Sequence, residues 1–325
     1  MDHTATTPPG CRRGAALAVL ALVALLLLAA APDGVGALRR GGKTAPLYDR
    51  TFKCDRLERL PEPPELVVLG GSRAQRFQPS QFERLTGLAA FNFALQNLRP
   101  EDAYAIARFL FGRAPDVKLR CFWAVQVTTF SDTPLHPGLL AEDRLTQFLP
   151  DALIAAQRAL DAGVAAHEMT WKDAYSSRGA LISNSYDRTE ARGIGFDRVM
   201  QGYLERMLPK VAAPSPHGRG RAKSYFEKTL RLFNLHDVAP VLVIMPYHPQ
   251  ALAAFRAAGW QDKLDALQAY LRRLQGRYAF RVLDYTEIDS FDGRDDAFYD
   301  GAHVKRENAR RIVRQVVADL PGAFR

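Results

Sequence analysis

The chain has 325 residues, of which 47% are hydrophobic and 24% are charged, and it contains three cysteines. This composition excludes collagen-like, coiled-coil and wholly disordered proteins, and the length is sufficient for one large domain with a substantial core. The net charge is +9, with +3 in the first 43 residues and +6 in the remainder, where basic residues are interspersed with carboxylates. Because nucleic-acid binding requires a clustered basic face, no nucleic-acid partner is predicted.

Residues 1–37 show the clearest local pattern. Arg12 and Arg13 precede an apolar run of alanine, leucine and valine that extends from Gly14 to Ala31. This pattern fits an apolar helix that anchors the protein in the cytoplasmic membrane, and it also fits a signal peptide that is cleaved. In either case the body of the protein is predicted to be exported, as a membrane-anchored or a secreted protein.

The three cysteines are divided by the apolar run. Cys11 precedes it, so only Cys54 and Cys121 would reach an oxidising compartment. These two residues either form a disulfide or, since Cys121 lies in an apolar segment, include a buried core thiol. No cysteine or histidine cluster has the spacing of a structural metal site, and no metal is predicted.

Residues 38–64 are rich in glycine, proline and charge, which predicts a linker. Beyond residue 64, short apolar runs alternate with segments of helical periodicity. The runs that predict strands are Leu66–Leu69, Phe91–Phe93, Leu119–Val127, Val241–Met245 and Phe280–Leu283. The segments that predict helices are 101–111, 142–162, 196–208, 224–235, 262–275 and 305–320.

This alternation predicts one α/β domain over residues 65–325, a three-layer, doubly wound (flavodoxin-like) parallel sheet whose ligands lie at the carboxyl ends of the strands. The stretch between the third and fourth predicted strands is longer than one crossover requires. It predicts an insertion at about 131–239 that forms a lid or a partner surface. Neither a phosphate-binding loop nor a dinucleotide fingerprint is present, so no cofactor is predicted.

Ser72 follows the first predicted strand directly after Gly70 and Gly71. A serine in such a turn is exposed at the carboxyl end of a buried strand, where nearby backbone N–H groups can stabilise an oxyanion. This position is typical of a nucleophile. A serine that caps a helix is the alternative interpretation of the same residue.

Asp300 and His303 lie just before the last predicted helix, three residues apart. At this spacing a carboxylate can orient an imidazole whose other nitrogen faces outward, which is the arrangement that activates a serine nucleophile. A local ion pair is one alternative. Another is a metal site formed with His248, for which few carboxylate ligands are available.

The Gly-Gly-Ser-Arg segment after the first strand and the Asp-Gly-Ala-His segment before the last helix resemble the SGNH (GDSL-type) hydrolase superfamily. The closer resemblance is to an exported branch that includes proteins of D-alanyl-lipoteichoic acid biosynthesis and alginate O-acetylation. It spans most of residues 65–320, and the N-terminal membrane segment fits this branch. The resemblance implies that Ser72 is the nucleophile, His303 the general base and Asp300 its orienting acid.

The segment from Asn92 to Asn97 resembles the second block of the superfamily, with Asn97 in place of the usual glycine. The resemblance implies an oxyanion hole formed by the N–H groups of Ser72 and Asn97, with the Asn92 or Asn97 side chain as an alternative donor. The Gly-x-Asn-Asp block expected after the third strand is absent, and Gln126, Thr128 and Thr129 stand there instead.

Two further residues are candidates for substrate binding. Arg73 either contacts an anionic group of the substrate or is a solvated or ion-paired residue, and His248 follows the fourth predicted strand at the same sheet edge. Aromatic residues of the insertion are candidates for lining a sugar cleft, namely Trp171, Tyr175 and Tyr186.

Together these features predict an exported serine esterase or O-acyltransferase that acts on acyl esters of a cell-surface polysaccharide or glycopolymer. The alternative is a non-catalytic SGNH-like binding or assembly protein of an envelope acyl-transfer system. Such a protein would have a multi-span membrane protein as its partner. The absent third block and Asn97 favour this alternative.

Overall fold

The computed structural model describes residues 49–131, 133–160, 173–213 and 220–324. The predicted membrane segment at 1–37 lies outside these ranges. Within them, no helix combines the length and the apolar character that crossing a membrane requires.

The strands of the described residues form a five-stranded sheet and a two-stranded hairpin. They are β1 (Leu66–Leu69), β2 (Ala90–Asn92), β3 (Arg120–Val125), β4 (Ala174–Tyr175), β5 (Leu181–Ser183), β6 (Val241–Ile244) and β7 (Arg281–Asp284). All neighbours in the large sheet are parallel, in the order β2-β1-β3-β6-β7, while β4 and β5 pair antiparallel. The five strands predicted from the sequence are confirmed, with boundaries shifted by one or two residues.

The helices of the described residues flank this sheet. They are α1 (Asp49–Glu58), α2 (Pro79–Thr86), α3 (Pro100–Arg113), α4 (Pro137–Leu140), α5 (Asp143–Thr146), α6 (Asp151–Leu160), α7 (Ser185–Ala191), α8 (Phe196–Ala212), α9 (Arg221–Leu235), α10 (Pro249–Ala257), α11 (Trp260–Gln275) and α12 (Arg306–Asp319). The protein is therefore an α/β protein built on a parallel sheet.

Alternate residues of the central strands enter two separate cores. Leu66 and Val68 of β1 pack with the apolar residues of α2 and α12, whereas Val67 and Leu69 pack with those of α3, α9 and α11. All four side chains are fully buried. A strand covered on both faces needs this continuous apolar sequence, and its carboxyl end is left as the position for polar functional residues.

The predicted linker at 38–64 is wrong for its described part, because residues 49–58 form α1. This helix buries apolar residues such as Phe52 and Leu57, and it also buries Arg50 and Lys53 completely. Its charged side chains have partners within the domain, including a buried ion pair between Arg50 and Asp102. The polar composition of this segment thus predicted an exposed linker, whereas its charged residues belong to a buried polar network.

The helix predicted over 142–162 is divided into α5 and α6. Pro150 lies between them, and a proline in a helix interior lacks the N–H that the helix would need. The insertion also ends earlier than 239, because α9 packs on α3 and contributes Phe226 and Phe233 to the core beside Trp123. The helix α9 is thus part of the crossover between β3 and β6.

Cys54 and Cys121 are both buried and unpaired. Cys54 lies in α1 and Cys121 in β3, each within the larger apolar core. Burial raises the pKa of both thiols. The disulfide alternative is wrong, and the interpretation of Cys121 as a core thiol is confirmed.

Candidate active site

Ser72 lies in a tight turn at the carboxyl end of β1. The residue that begins the turn, Gly70, has a φ of +148°, and a Cβ built on it would come within 2.8 Å of the Cβ atoms of Ala74 and Ala124. The turn therefore requires glycine. The chain continues as a 3-10 turn over Ser72–Ala74, which leaves the Ser72 side chain half-buried at the edge of the sheet.

Asp300 and His303 lie in the loop between β7 and α12. A β-bridge between Phe298 and Val304 closes this loop. Inside it, the Asp300 carboxylate accepts hydrogen bonds from the backbone N–H groups of Ala302 and His303, each at 2.8 Å. The carboxylate thus stabilises the loop that presents the histidine to the sheet edge.

His303 connects this loop with Ser72. Its Nε2 is 2.9 Å from the Ser72 Oγ, and its Nδ1 is 3.0 Å and 2.9 Å from the Oδ1 and Oδ2 of Asp300. These contacts are satisfied when the imidazole carries its proton on Nδ1. The Nδ1–H then donates a hydrogen bond to the Asp300 carboxylate, and Nε2 accepts a hydrogen bond from the Ser72 hydroxyl. This is the geometry of a serine, histidine and aspartate triad.

The Asp300 carboxylate is ionised at neutral pH. Burial of the side chain, which is 1% exposed, raises its pKa. The charge of His303 and the hydrogen bonds from His303 and Ala302 outweigh burial and hold the pKa of Asp300 well below its usual range. A charged carboxylate at this position fixes the imidazole tautomer and stabilises the imidazolium that forms when serine loses its proton.

Tyr186 adds a fourth side chain to this cluster. Its hydroxyl donates to the Oδ2 of Asp300 at 2.9 Å and lies 3.0 Å from the Nδ1 of His303. Sequence reasoning placed Tyr186 in a sugar cleft and missed this contact, since 114 residues separate the tyrosine from the aspartate. The sequence contains no local pattern that could have revealed it.

Asn97 lies on the other side of Ser72 with a φ of +50°. This left-handed conformation favours glycine and is tolerated by asparagine. The N–H of Leu95 donates to Gly70 O at 2.9 Å, which ties the turn before Asn97 to the turn before Ser72. In the described part of the chain, the N–H groups of Ser72 and Asn97 donate to no other protein atom and so remain available to an oxyanion.

Asn92 is not part of the site, and the prediction that its side chain is an oxyanion donor is wrong. It is completely buried, and its amide nitrogen donates to the carbonyl oxygens of Ala74, Gln75 and Phe77. The side-chain oxygen of Asn92 accepts a hydrogen bond from the backbone N–H of Ala94 at 2.8 Å. Because all of its polar atoms have partners, Asn92 stabilises the loop after β1 instead of facing a substrate.

Arg73 borders the cleft, but its guanidinium faces the protein interior. It donates to the carbonyl oxygens of Ala302 and Pro246 and lies 4.2 Å from the centre of the Tyr247 ring. A weaker contact of 3.4 Å joins it to the side chain of Gln126. These contacts occupy the guanidinium, so the predicted role in binding an anionic group is wrong, and Arg73 instead joins the turn after β1 to the loop that contains Asp300 and His303.

His248 also lies outside the cleft. Its Nδ1 accepts from the N–H of Gln250 at 3.2 Å, which caps α10, and its ring packs between Phe196 and Phe298. His248 is not among the residues that line the cleft containing Ser72. The prediction of a substrate contact is therefore wrong, and His248 does not join Asp300 and His303 as a metal ligand.

The residues that replace the third block are mainly structural. Thr129 is buried, and its hydroxyl accepts from the N–H of Gln126 at 3.0 Å, which caps a 3-10 turn. Thr128 is exposed. Gln126 lies beside the turn that contains Ser72, with its amide nitrogen 3.8 Å from the position of a Cβ built on Gly71.

The cleft in front of Ser72 has a volume of about 450 Å³ and is bordered on one side by the insertion. From α8, Tyr203, Arg206, Met207 and Lys210 line this wall. Arg206 and Lys210 are exposed, and in the described residues neither forms an ion pair with a carboxylate. The wall that the insertion contributes to the cleft is thus cationic and partly apolar.

Of the other two aromatic residues of the insertion, Tyr175 does not line this cleft. Tyr175 is buried and packs its ring 5.2 Å from that of Phe52 in α1, so its assignment to a sugar cleft is wrong. Trp171 lies outside the described residues. Among the described residues, no group of three or more histidine, cysteine, aspartate or glutamate side chains could hold a metal ion.

Comparison with known proteins adds no assignment to this geometry. A scan of the sequence against protein-family models finds no match, and a search of curated proteins finds none either.

Proposed function

We propose that the protein is a serine enzyme of acyl-ester chemistry, either an esterase or an O-acyltransferase. The observation that carries this proposal is the continuous hydrogen-bonded chain from Ser72 through His303 to Asp300 at the carboxyl edge of a parallel sheet. An ordinary helix-capping serine would not need a histidine at its hydroxyl, nor would that histidine need a buried, ionised carboxylate.

The fold supports a position in the SGNH superfamily. Counted over its five strands, the parallel sheet has the 2-1-3-4-5 order of flavodoxin-like, doubly wound folds, with helices on both faces. Ser72 follows the first strand and Asp300 and His303 precede the last helix, as the resemblance of the sequence blocks implies. The left-handed backbone of Asn97 occurs where that superfamily has glycine.

In the proposed reaction the Ser72 hydroxyl attacks the acyl carbonyl and transfers its proton to the Nε2 of His303. The N–H groups of Ser72 and Asn97 stabilise the oxyanion of the tetrahedral intermediate. His303 then protonates the leaving alcohol, and the acyl group remains on Ser72. Water or a sugar hydroxyl, deprotonated by His303, releases it by the same steps in reverse.

The cationic wall of the cleft favours an anionic polymer as the carrier of the ester. Arg206 and Lys210 are four residues apart on α8 and therefore lie on the same face of the helix. Charged groups of this kind bind carboxylate or phosphate through charge-assisted hydrogen bonds. We propose an anionic cell-surface polysaccharide or glycopolymer as substrate, with the protein exported and held at the membrane, or secreted, through residues 1–37.

A direct test measures the hydrolysis of p-nitrophenyl acetate by the full-length protein. We expect turnover in the wild type and a loss of at least about 10³-fold in Ser72→Ala and in His303→Ala, as found when serine triads are disrupted. Ser290→Ala, which changes a serine in an exposed turn, is the matched control and should retain turnover. Equal turnover in wild type and Ser72→Ala would contradict the proposal and favour a non-catalytic binding or assembly protein.

A further inference from the structure

The insertion contacts the triad through Tyr186 of α7. Besides the two contacts of its hydroxyl, the ring lies 4.9 Å from the His303 ring and 5.4 Å from the Tyr299 ring. The tyrosine therefore covers the side of the imidazole on which Nδ1 and the carboxylate meet. A side chain in this position can influence the histidine without contacting a substrate.

Resting on the proposed function, we propose that Tyr186 is a positioning residue of the triad, through which the docked insertion sets the orientation and basicity of His303. The phenol has one proton to donate, and Oδ2 of the ionised Asp300 accepts it at 2.9 Å. A lone pair of the same oxygen then faces the N–H of the imidazole at 3.0 Å. The hydroxyl thus holds the carboxylate and the imidazole in one relative orientation.

The hydrogen bond from the Tyr186 hydroxyl also stabilises the negative charge of the Asp300 carboxylate. Burial, followed by the charge of Asp300 and the hydrogen bond to it, raises the pKa of Tyr186, so the phenol stays protonated over the working pH range. A carboxylate that accepts this additional hydrogen bond attracts the imidazole proton less strongly. Removing the hydroxyl should therefore favour the imidazolium form of His303 and require a higher pH for a neutral, active base.

Polar contacts hold Tyr186 in place, because α7 has no buried residue. Asp187 accepts from Arg76 at 2.5 Å and from the Tyr299 hydroxyl at 2.7 Å. Glu190 forms an ion pair with Lys305 at 2.8 Å. The helix is therefore fastened to the catalytic loops by charge and hydrogen bonds, and loss of these contacts would withdraw the tyrosine from the triad.

Several other titratable or charged groups face this cluster from neighbouring elements. They are Ser72 and Arg76 after β1, Tyr203 and Arg206 of α8, and Tyr299 of the catalytic loop. Of these, Ser72 alone forms a hydrogen bond with the His303 ring, while the backbone N–H of Tyr299 donates to the His303 carbonyl oxygen, and none forms one with the Asp300 side chain, in the described residues. Tyr186 is thus the side chain through which an effect of the insertion on the Asp300 carboxylate would pass.

The test measures the rate at which a fluorophosphonate labels Ser72 in the full-length protein between pH 5 and pH 9. In Tyr186→Phe, which keeps the stacked ring, we expect the acid limb of the rate profile to move to higher pH by about 0.5 to 1 unit, which corresponds to the net contribution of one typical hydrogen bond. Tyr285→Phe is the matched control, since its hydroxyl also donates to a carboxylate, at 2.6 Å, but on Asp319. A purely structural role would leave the limb of Tyr186→Phe unchanged.

A second variant tests the same proposal without altering the triad or the tyrosine. Asp187→Asn weakens the contact with Arg76, and it should shift the acid limb in the same direction as Tyr186→Phe. If the wild type is labelled at Ser72 and the acid limb of the rate profile is unchanged in both variants, the role of Tyr186 is overturned. The serine-enzyme proposal is then intact. A wild type that is unlabelled at every pH overturns both.

Discussion

At the residue scale, the site combines groups whose individual geometry is unusual with partners that make each geometry stable. Asp300 is a buried carboxylate that remains ionised because the loop directs two N–H groups and an imidazole at it. Asn97 occupies a left-handed backbone conformation in a turn tied to Gly70. Strained or charged positions of this kind are concentrated at functional sites, where surrounding contacts offset their cost.

The conformation of Asn97 leads to a prediction about the oxyanion hole. Asn97→Gly keeps the backbone N–H and the left-handed φ, so acyl-ester turnover should stay within about threefold of wild type, well short of the 10²- to 10³-fold loss of an oxyanion donor. Asn97→Val should lose about 10-fold or more, because a β-branched residue disfavours positive φ. Steady-state kinetics with p-nitrophenyl acetate measure both. If Asn97→Gly lost activity as strongly as Asn97→Val, the donor would be the asparagine side chain.

At the element scale, α1 supports the turn that contains Asn97 through a buried charge network. The carboxylate of Asp102 accepts two hydrogen bonds from Arg50, at 2.9 Å and 3.0 Å, and both side chains are fully buried. Arg50 also donates to Gln96 O at 3.2 Å, and Asp49 accepts from the Gln96 N–H at 2.5 Å. Because Gln96 directly precedes Asn97, these two contacts attach α1 to the turn that borders Ser72.

Removing one partner of this network should be costly. We expect Asp102→Asn to lower the free energy of unfolding by about 3 kcal/mol, because the buried Arg50 loses the carboxylate that accepts two of its hydrogen bonds and keeps a single carboxylate contact, of 3.0 Å, with Asp49. Asp55→Asn disrupts the partly exposed pair with Arg144 and should cost about 1 kcal/mol or less. Urea unfolding followed by circular dichroism measures both. Equal stability of the two variants would show that the buried pair does not support the fold.

The features that the sequence predicted depend on residues that are neighbours along the chain. The features that it did not reveal depend on contacts between residues that are far apart along the chain. The strands and the positions of Ser72, Asp300 and His303 follow from apolar runs and from the residues next to them. The α1 helix, the burial of Arg73 and the contact of Tyr186 with the triad depend on partners 50 or more residues away. Local composition carries no information on such contacts, so polar segments were interpreted as exposed.

At the scale of the whole molecule, the net charge of +9 is modest and dispersed, but the insertion places Arg206 and Lys210, which form no ion pair within the described residues, in the cleft of Ser72. The β4–β5 hairpin, α7 and α8 all come from the segment between β3 and α9. The insertion therefore forms a wall of the cleft, and its role as a lid or a partner surface stays a prediction. Its charge, more than that of the body, should determine the choice of polymer.

This argument predicts a selective effect of the cationic wall. Arg206→Ala/Lys210→Ala should lower kcat/KM on acetylated polygalacturonate by about tenfold, which corresponds to about 1.4 kcal/mol, and should leave turnover of the neutral acetylated xylan unchanged. Lys228→Ala/Arg231→Ala removes the same charge from an exposed face of α9 and is the matched control. Acetate release from both polymers is measured for the wild type and for the two double variants. An equal loss on both polymers would exclude charge recognition by Arg206 and Lys210.

The central claim is that Ser72 is a nucleophile activated by His303. The most direct measurement is labelling of the full-length protein with a fluorophosphonate, followed by mass spectrometry of its peptides, in wild type and in His303→Ala. We expect covalent modification of Ser72 in the wild type and its loss in a folded His303→Ala variant, whatever the natural acyl group. The absence of modification at Ser72 in folded wild-type protein, or labelling that persists without His303, would contradict it.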